Sequence, residues 1–296
     1  MFTEGRGTTE QVATFLAIVR TRNFRAVARE RGQSQGAVSQ QLRKLEVALG
    51  VRLIKRDARG CLPTPEGTGF LVFAESLLRL NARAVEVLRT HRIAIGASSN
   101  IGIYLLQPYI KSYFDGCAGH RLPDIQIHQN PVIAHKLDTG EIDVATLEWW
   151  DNRPGYVARP WRREELVAIV PPGHPWAALP RLPSAALQGV PLLGGESGTG
   201  TGRILARYFG AQLGDMQIGM RLGSTEAVKQ WVKAGLGVSL VLAGTVADEC
   251  REGTLVAIPL EGEAPNKELY VVWRESLAAD SPARAFGEWL AAHAVG

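Results

Sequence analysis

Apolar positions in the first ninety residues recur at helical spacing in three short runs and one long one. Val12, Phe15, Leu16, Ile18 and Val19 form a stripe within residues 9–21 that Asn23 interrupts, which predicts a first helix. A shorter run from Phe24 carries Ala26, Val27 and Ala28 and ends at Gly32, a residue able to take the left-handed conformation that closes a helix. Ser34 suits the N-cap of a third helix whose apolar face is Ala37, Val38, Leu42, Leu45 and Leu49, and Gly50 terminates it. Two helices, a tight turn and a third helix make a helix-turn-helix pattern. The segment from Val51 to Leu62, folded back at Arg59-Gly60, reads as a two-stranded wing. Between Pro65 and His91 a helical stretch places Phe70, Phe73, Leu77, Leu80, Ala84 and Val87 at strict a and d heptad positions. Leu71, Ala74, Leu78, Val85 and Leu88 form another stripe, so this helix is expected to pack on two sides, against the N-terminal module and against a second chain. One buried helix in a monomer is the plainer alternative.

From Arg92 the pattern changes to alternating strands and helices. RIAIGAS reads as a strand, IGIYLLQPYIKSYF as a helix, IQIHQN as a strand, Val132 to Leu137 as a helix and DVATLEW as a strand. A second set starts at LVAIVP and continues through PLLGG, helices near Arg203 to Phe209 and Glu226 to Ala234, and VSLVL; LYVVWR and a helix from Pro282 to Ala292 close the chain. These βαβ units predict a largely parallel sheet with helices on its faces. The fold expected is α/β overall: a winged helix-turn-helix over residues 1–64, a linker helix over 65–91, and a two-lobed domain over 92–296. Lobe I would comprise residues 92–163 and 267–296 and lobe II residues 164–266, the chain crossing near Arg163 and again near Asn266.

Composition is close to the globular average, which excludes disorder and fibrous repeats. No run approaches the ~20 apolar residues of a spanning helix and the N-terminus has no signal-peptide core, so a cytoplasmic protein without membrane contact is expected. Cys61, Cys117 and Cys250 are far apart and lack CxxC spacing, and His120, His128 and His135 are spaced so that no one helix face gathers them; neither a disulfide framework nor a metal site is expected. Charge changes the picture more. Residues 1–92 hold 16 Lys and Arg against 8 Asp and Glu, net +8, whereas residues 93–296 hold 17 against 21, net −4, which together give the chain's +4. A basic module joined to an acidic domain is the electrostatic footprint of nucleic-acid contact, with a solvated basic face as the alternative.

The third helix carries the matching chemistry. Gln35, Ser39, Gln40, Arg43 and Lys44 point away from its apolar face, and such side chains reach base edges and phosphates from the N-terminal part of a recognition helix. The candidate contacts to double-stranded promoter DNA are Ser34, Gln35, Gly36, Ser39, Gln40 and Arg43 on the helix and Arg52, Lys55, Arg56 and Arg59 on the wing. The stretch SQGAVSQQLRKLEVALGVRLIKR, with LPTPEG after a short basic turn, resembles the signature of the LysR-type transcriptional regulators, and the resemblance runs to the C-terminus. Three positions depart from it: Gly36 replaces the usual proline, Gln40 a common arginine and Ile54 a frequent phenylalanine. The resemblance implies an effector domain with the architecture of periplasmic binding proteins, a homodimer or a homotetramer built as a dimer of dimers, and RNA polymerase as a candidate partner. GSTEAV and the loop GESGTGT are similar to the branch that controls sulfur or carbon assimilation, although GESGTGT departs from that branch's loop.

In such folds the ligand sits between lobes, beyond the carboxyl ends of strands. Three loops fit: Ser98-Ser99-Asn100, Glu196 to Gly202, and Gly223-Ser224-Thr225. Each sets hydroxyls and backbone N–H groups at a helix N-terminus, where an anion is favoured; simple N-capping is the alternative. The candidate effector contacts are Ser98, Ser99, Asn100, Ser197, Gly198, Thr199 and Thr225, with Trp149 bordering the cleft and Trp150 beside it. Arg203 and Lys229 are charge partners or exposed helix residues. A small anionic effector is expected and no cofactor: GESGTGTGR lacks the Lys-Ser/Thr of a phosphate loop. No GxSxG, paired catalytic carboxylates or supported Cys/His arrangement appears, so no enzyme is expected.

Overall fold

In the computed structural model, which describes residues 7–57, 60–90, 92–116, 122–195, 200–209, 218–262 and 265–293, the first helix α1 (Thr9–Thr21) opens on a capping box. Thr8 accepts from the Gln11 backbone N–H while the Gln11 side chain accepts from that of Thr8. Asn23 caps α2 (Phe24–Glu30), and Ser34 caps α3 (Gln35–Leu49), accepting from the Ala37 N–H at 3.1 Å. Gly50 closes α3 in the left-handed conformation. Strands β1 (Ile54–Asp57) and β2 (Gly60–Pro63) pair antiparallel as the wing, and α4 (Pro65–Thr90) follows. These elements form one compact unit, residues 1–91, and residues 92–296 form another.

The core of the first unit is built from Val12, Phe15, Ile18, Val27, Val38, Leu42, Leu45 and Leu53, sealed by Ala74 of α4. Phe70, Leu71 and Leu78 pack against it, and the Phe70 and Phe15 rings lie 5.5 Å apart. Phe70 therefore departs from the expected partner-facing stripe, because the first turns of α4 lie over α1 and bury their apolar side within the chain. The remainder of the stripe is uncovered: Phe73 is 68% and Leu77 51% exposed, with Leu80 and Val87 also exposed. At its first turn α4 approaches the wing so closely that a Cβ on Gly67 would stand 2.1 Å from the Leu53 carbonyl oxygen. Thr64 joins the two, donating to the Arg52 carbonyl at 2.7 Å and accepting from the Gly67 N–H at 3.0 Å.

In the second unit β3 (Ala94–Ser98) leads into a π-helical turn (Ile101–Leu105) and then α5 (Gln107–Asp115), so the single helix expected there is broken at Leu106. β4 (Asp124–His128), α6 (Asn130–Asp138) and β5 (Val144–Leu147) follow. β6 (Tyr156–Val170) is one long strand. Beyond it come β7 (Leu192–Leu193), α7 (Gly200–Phe209), β8 (Ile218–Met220), α8 (Thr225–Lys233), β9 (Ser239–Leu242), a 3-10 turn (Ala243–Thr245), α9 (Ala247–Arg251), β10 (Val256–Pro259), β11 (Asn266–Arg274) and α10 (Pro282–Ala292).

Seven strands form one curled sheet in the order β10-β6-β11-β5-β3-β4, with β9 also paired to β6. It is mixed rather than largely parallel. Only β3 with β4 and with β5 are parallel, joined by helical crossovers; β11 runs antiparallel between β5 and β6. The reason is the crossing: β6 leaves the first lobe and β11 returns to it, so the two lie side by side in opposite directions. Residues 156–165 of β6 pair with β11, and from Leu166 onward its partners are β9 and β10. Pro160 sits beside a register shift at Leu269/Tyr270, the kind of bulge that accommodates a proline within a sheet. Each lobe has its own core, one around Ile95, Trp161, Leu269 and Phe286 and the other around Leu166, Leu192, Leu240 and Ile258. Among the described residues no helix is long and apolar enough to cross a membrane.

Two glycines of α4 should respond to alanine in opposite senses. Gly67 meets the wing backbone, whereas a Cβ on Gly69 meets nothing within 4 Å. Gly69→Ala should stabilise the protein by about 0.5–1 kcal/mol through helix propensity. Gly67→Ala should destabilise it by about 1–3 kcal/mol through overpacking. Urea denaturation followed by circular dichroism measures both.

Candidate functional site

Five of the expected DNA-contacting residues line one groove of the first unit. Ser39 and Arg43 of α3 face Arg52, Lys55 and Arg56 of the wing across a groove of about 920 Å³ floored by Phe24, Leu42 and Ile54. All except the half-buried Ser39 are exposed. Ser34, Gln35, Gly36 and Gln40 lie exposed at the start of α3, outside the groove lining. Ser34 is spent partly on its cap, and the Gln35 side-chain oxygen accepts from Arg25 Nε at 3.3 Å. The Arg56 guanidinium stacks 4.3 Å from the Phe24 ring centre, which holds it flat. Arg59 lies outside the described residues. Sequence reasoning missed Glu46, an acid in the last turn of the recognition helix. Its carboxylate accepts from the Leu53 and Ile54 backbone N–H groups at 2.8 and 3.2 Å, so it anchors the wing to α3.

In the second unit a cleft of about 470 Å³ opens between the lobes. One lobe contributes Ser99, Asn100, Gln129, Asn130, Pro131, Glu148 and Trp149; the other contributes Gly194, Thr201, Arg221, Ser224, Thr225, Val228 and residues 239–241. Ser99, Asn100, Thr225 and Trp149 are thus brought together as expected sites. Ser197, Gly198 and Thr199 lie outside the described residues, as do Cys117 and His120. Ser98 is a correction: as the last residue of the fully buried β3 it does not line the cleft, and its hydroxyl is enclosed with no hydrogen-bond partner among the described residues. Trp150 also turns elsewhere, its ring packed on Tyr156 with the Arg153 guanidinium 4.6 Å away. Gln129, Asn130, Glu148 and Arg221 were not foreseen.

Among the described residues, hydrogen bonds and ring contacts bridge the lobes here. Thr225 Oγ1 donates to Asn100 Oδ1 at 2.7 Å, Tyr104 Oη donates to Glu226 Oε2 at 2.9 Å, and the Arg203 guanidinium lies 4.7 Å from the Trp149 ring centre. Lys229 is neither exposed nor part of the cleft wall. It is 2% exposed, bonded to Glu249 at 2.7 Å, to Glu226 at 3.1 Å and to the Thr245 carbonyl at 3.1 Å, with the Tyr104 ring 4.3 Å away. Burial pulls the Lys229 pKa down, but the bonds from Glu249 and Glu226 outweigh it and the net shift is upward. Burial and the bond to Glu226 push the Tyr104 phenol up to about 12. Glu226 is held down at about 2 by the Gln230 amide, Lys229 and Tyr104.

On the floor of the cleft a second buried pair joins Glu148 to Lys267. Glu148 follows the carboxyl end of β5, and its backbone N–H donates to Asn130 Oδ1 at 2.7 Å while Asn130 Nδ2 donates to the Trp149 carbonyl at 3.2 Å. Burial lowers the Lys267 pKa, opposed by Glu148.

A helix-turn-helix with a basic groove, joined to a two-lobed α/β domain, is the build of a DNA-binding regulator. The LysR substrate-binding domain matches residues 88–295 and the lysR-family bacterial regulatory helix-turn-helix matches residues 9–68. The chain belongs to the LysR family of transcriptional regulators, with a DNA-binding helix-turn-helix and an effector-binding domain, and is not an enzyme. It is 43% identical over 188 residues to the putative HTH-type transcriptional regulator protein PtxE of Stutzerimonas stutzeri, covering 64% of this chain and 96% of that protein. In fold it is similar to full-length CbnR complexed with its target DNA, with a TM-score of 0.73 at 18% identity, covering 97% of this chain and 100% of that one. It is also similar to the Synechocystis PCC6803 CcmR regulatory domain in complex with 2-PG, with a TM-score of 0.61 at 20% identity, covering 69% of this chain and 97% of that one.

The Glu226 cluster should make stability fall in acid. A carboxyl whose folded pKa is depressed contributes stability above its unfolded pKa and loses it as pH falls through the folded value. Its side chain is half exposed, so Glu226→Gln should cost only about 1 kcal/mol at pH 7. The difference between variant and wild type should close as pH falls from about 4.3 to about 2. Tryptophan fluorescence during urea unfolding across that range measures it.

Proposed function

We propose that the cleft between the lobes is the effector site and that the effector is a small anion which alters how the protein holds promoter DNA. The observation that carries this reading is the convergence of Ser99, Asn100, Gln129, Asn130, Ser224 and Thr225, from both lobes, on one cavity. Asn130 begins α6 and Ser224 caps α8, so amide and hydroxyl donors stand where helix N-termini add partial positive charge. Arg221 lines the same cavity, and Lys267 offsets the charge of Glu148. That CcmR's regulatory domain is described with 2-PG accords with a small occupant of this fold. A ligand touching both lobes biases their arrangement by its differential affinity, typically about 1–3 kcal/mol.

DNA is read by α3 and held by the wing, in a homodimer formed through the exposed stripe Phe73, Leu77, Leu80, Ala84 and Val87, with a dimer of dimers as the larger assembly. Two half-sites bound by one dimer gain from effective concentration. RNA polymerase is the further partner such a promoter-bound assembly would meet.

Two measurements test the reading. In binding titrations, Gln35→Ala should cut discrimination between operator and random DNA by about 1–3 kcal/mol. Arg56→Ala should instead weaken both alike and lower the salt dependence. Equal losses on both DNAs for Gln35→Ala would remove it as a base reader. In calorimetry with sulfite, sulfate, phosphate and small carboxylates, Thr225→Val should weaken the bound anion about tenfold, because the single hydroxyl hydrogen turns from Asn100 Oδ1 to the charged ligand; an unchanged affinity would move the effector site elsewhere.

A further inference from the structure

The floor of the cleft holds a carboxylate, which is an unexpected group to find in a site for anions. Glu148 lines the cavity yet is only 6% exposed. Its position is fixed at three points: the Asn130 side chain on its backbone, the end of β5 before it, and Lys267 on Oε2. Among the described residues no donor reaches Oε1, and that atom is not sealed away with the enclosed unpartnered groups. An ionised carboxylate only accepts hydrogen bonds, with about four lone-pair positions. Lys267 therefore cancels most of the charge without filling the acceptor sites, and any ligand lying against Oε1 must supply the hydrogen.

We infer, resting on the reading of the cleft as an anion site, that Glu148 selects among small anions for those that carry an O–H to donate: a singly protonated oxyanion or a hydroxy acid. Hydroxyls and amides at the helix N-termini take the anionic oxygens, and Glu148 takes the remaining O–H. A fully deprotonated tetrahedral dianion such as sulfate presents only lone pairs to Oε1 and leaves it unpaired in a buried place, the situation in which a hydrogen-bonding site discriminates most strongly. Arg221 on the cleft wall and Arg203 above Trp149 supply positive charge in excess of the neutralised pair, so acidity is attracted while its protonation state is read.

Calorimetry on the full-length protein at pH 7.5 and constant ionic strength, with hydrogen phosphate against sulfate and glycolate against acetate, tests this. The O–H-bearing member of each pair should bind at least tenfold more tightly. Glu148→Asp keeps the charge balance with Lys267 but withdraws the carboxylate by one methylene; it should weaken hydrogen phosphate and glycolate about tenfold and so shrink their preference over sulfate and acetate. The double variant Glu148→Gln, Lys267→Met removes the buried pair and offers an amide that donates or accepts; its phosphate and sulfate affinities should converge. If the wild type binds both members of each pair equally, and Thr225→Val weakens all of them, the cleft stands and the selection by Glu148 is wrong. If the O–H preference survives in Glu148→Asp and in the double variant, another residue makes the selection. If none of the four anions binds, or binding ignores Thr225→Val, the inference falls together with the anion cleft.

Discussion

The second unit depends on one constraint: two adjacent antiparallel strands, β6 and β11, are the only places where the described chain passes between its lobes. A paired ribbon resists stretching and shear because each displacement breaks ladder hydrogen bonds, but it twists and bends at modest cost. The partners of β6 change from β11 to β9 and β10 at residues 165–166, so any change in the lobes' arrangement has to be taken up there. Glu164, on that ribbon, is bonded to Arg162 and accepts from the Gly244 backbone N–H at 2.9 Å, so the second lobe is tied to the crossing itself. The Tyr104 contact lies close to this tie, since Lys229 beside its ring bonds the Thr245 carbonyl, next to Gly244.

Much of this was legible in the sequence wherever the information was local. The caps at Asn23 and Ser34, the left-handed ends at Gly32 and Gly50, and the apolar stripes of the first three helices depend on neighbours three or four residues apart. Composition and charge separated the two units for the same reason. The first part of β6 was invisible because its pattern is that of a crossing strand: Trp161 and Glu164 are buried, Arg159, Arg163 and Glu165 are exposed, and Pro160 argues against a strand. The expectation of a largely parallel sheet followed from that omission.

The cleft was legible in part. Ser99, Asn100 and Thr225 were identified because hydroxyls before helices are a local signal, and Ser98 was drawn in by the same signal although strand burial removes it. Glu148 and Lys267 lie 119 residues apart, and nothing near either announces the other. Lys229 could be read as a cleft cation or a solvated one, and it is neither, since Glu249 and Tyr104 enclose it from distant segments. Buried ion pairs of this kind add little net stability over apolar packing, but removing one partner is costly. They fix geometry, one pair on the cleft floor and one behind its wall.

The seam at Gly67 bears on how such regulators exchange parts. The wing ends and the long helix begins in a contact without room for a methyl group, and Thr64 bonds to both sides of it. The recombination point that leaves the DNA-reading half intact is therefore not the apparent boundary after the wing but the far end of α4, beyond Thr90. A chimaera cut at residue 64 would separate two surfaces shaped to each other, whereas one cut after the helix would transplant the reading head together with the rod that spaces it.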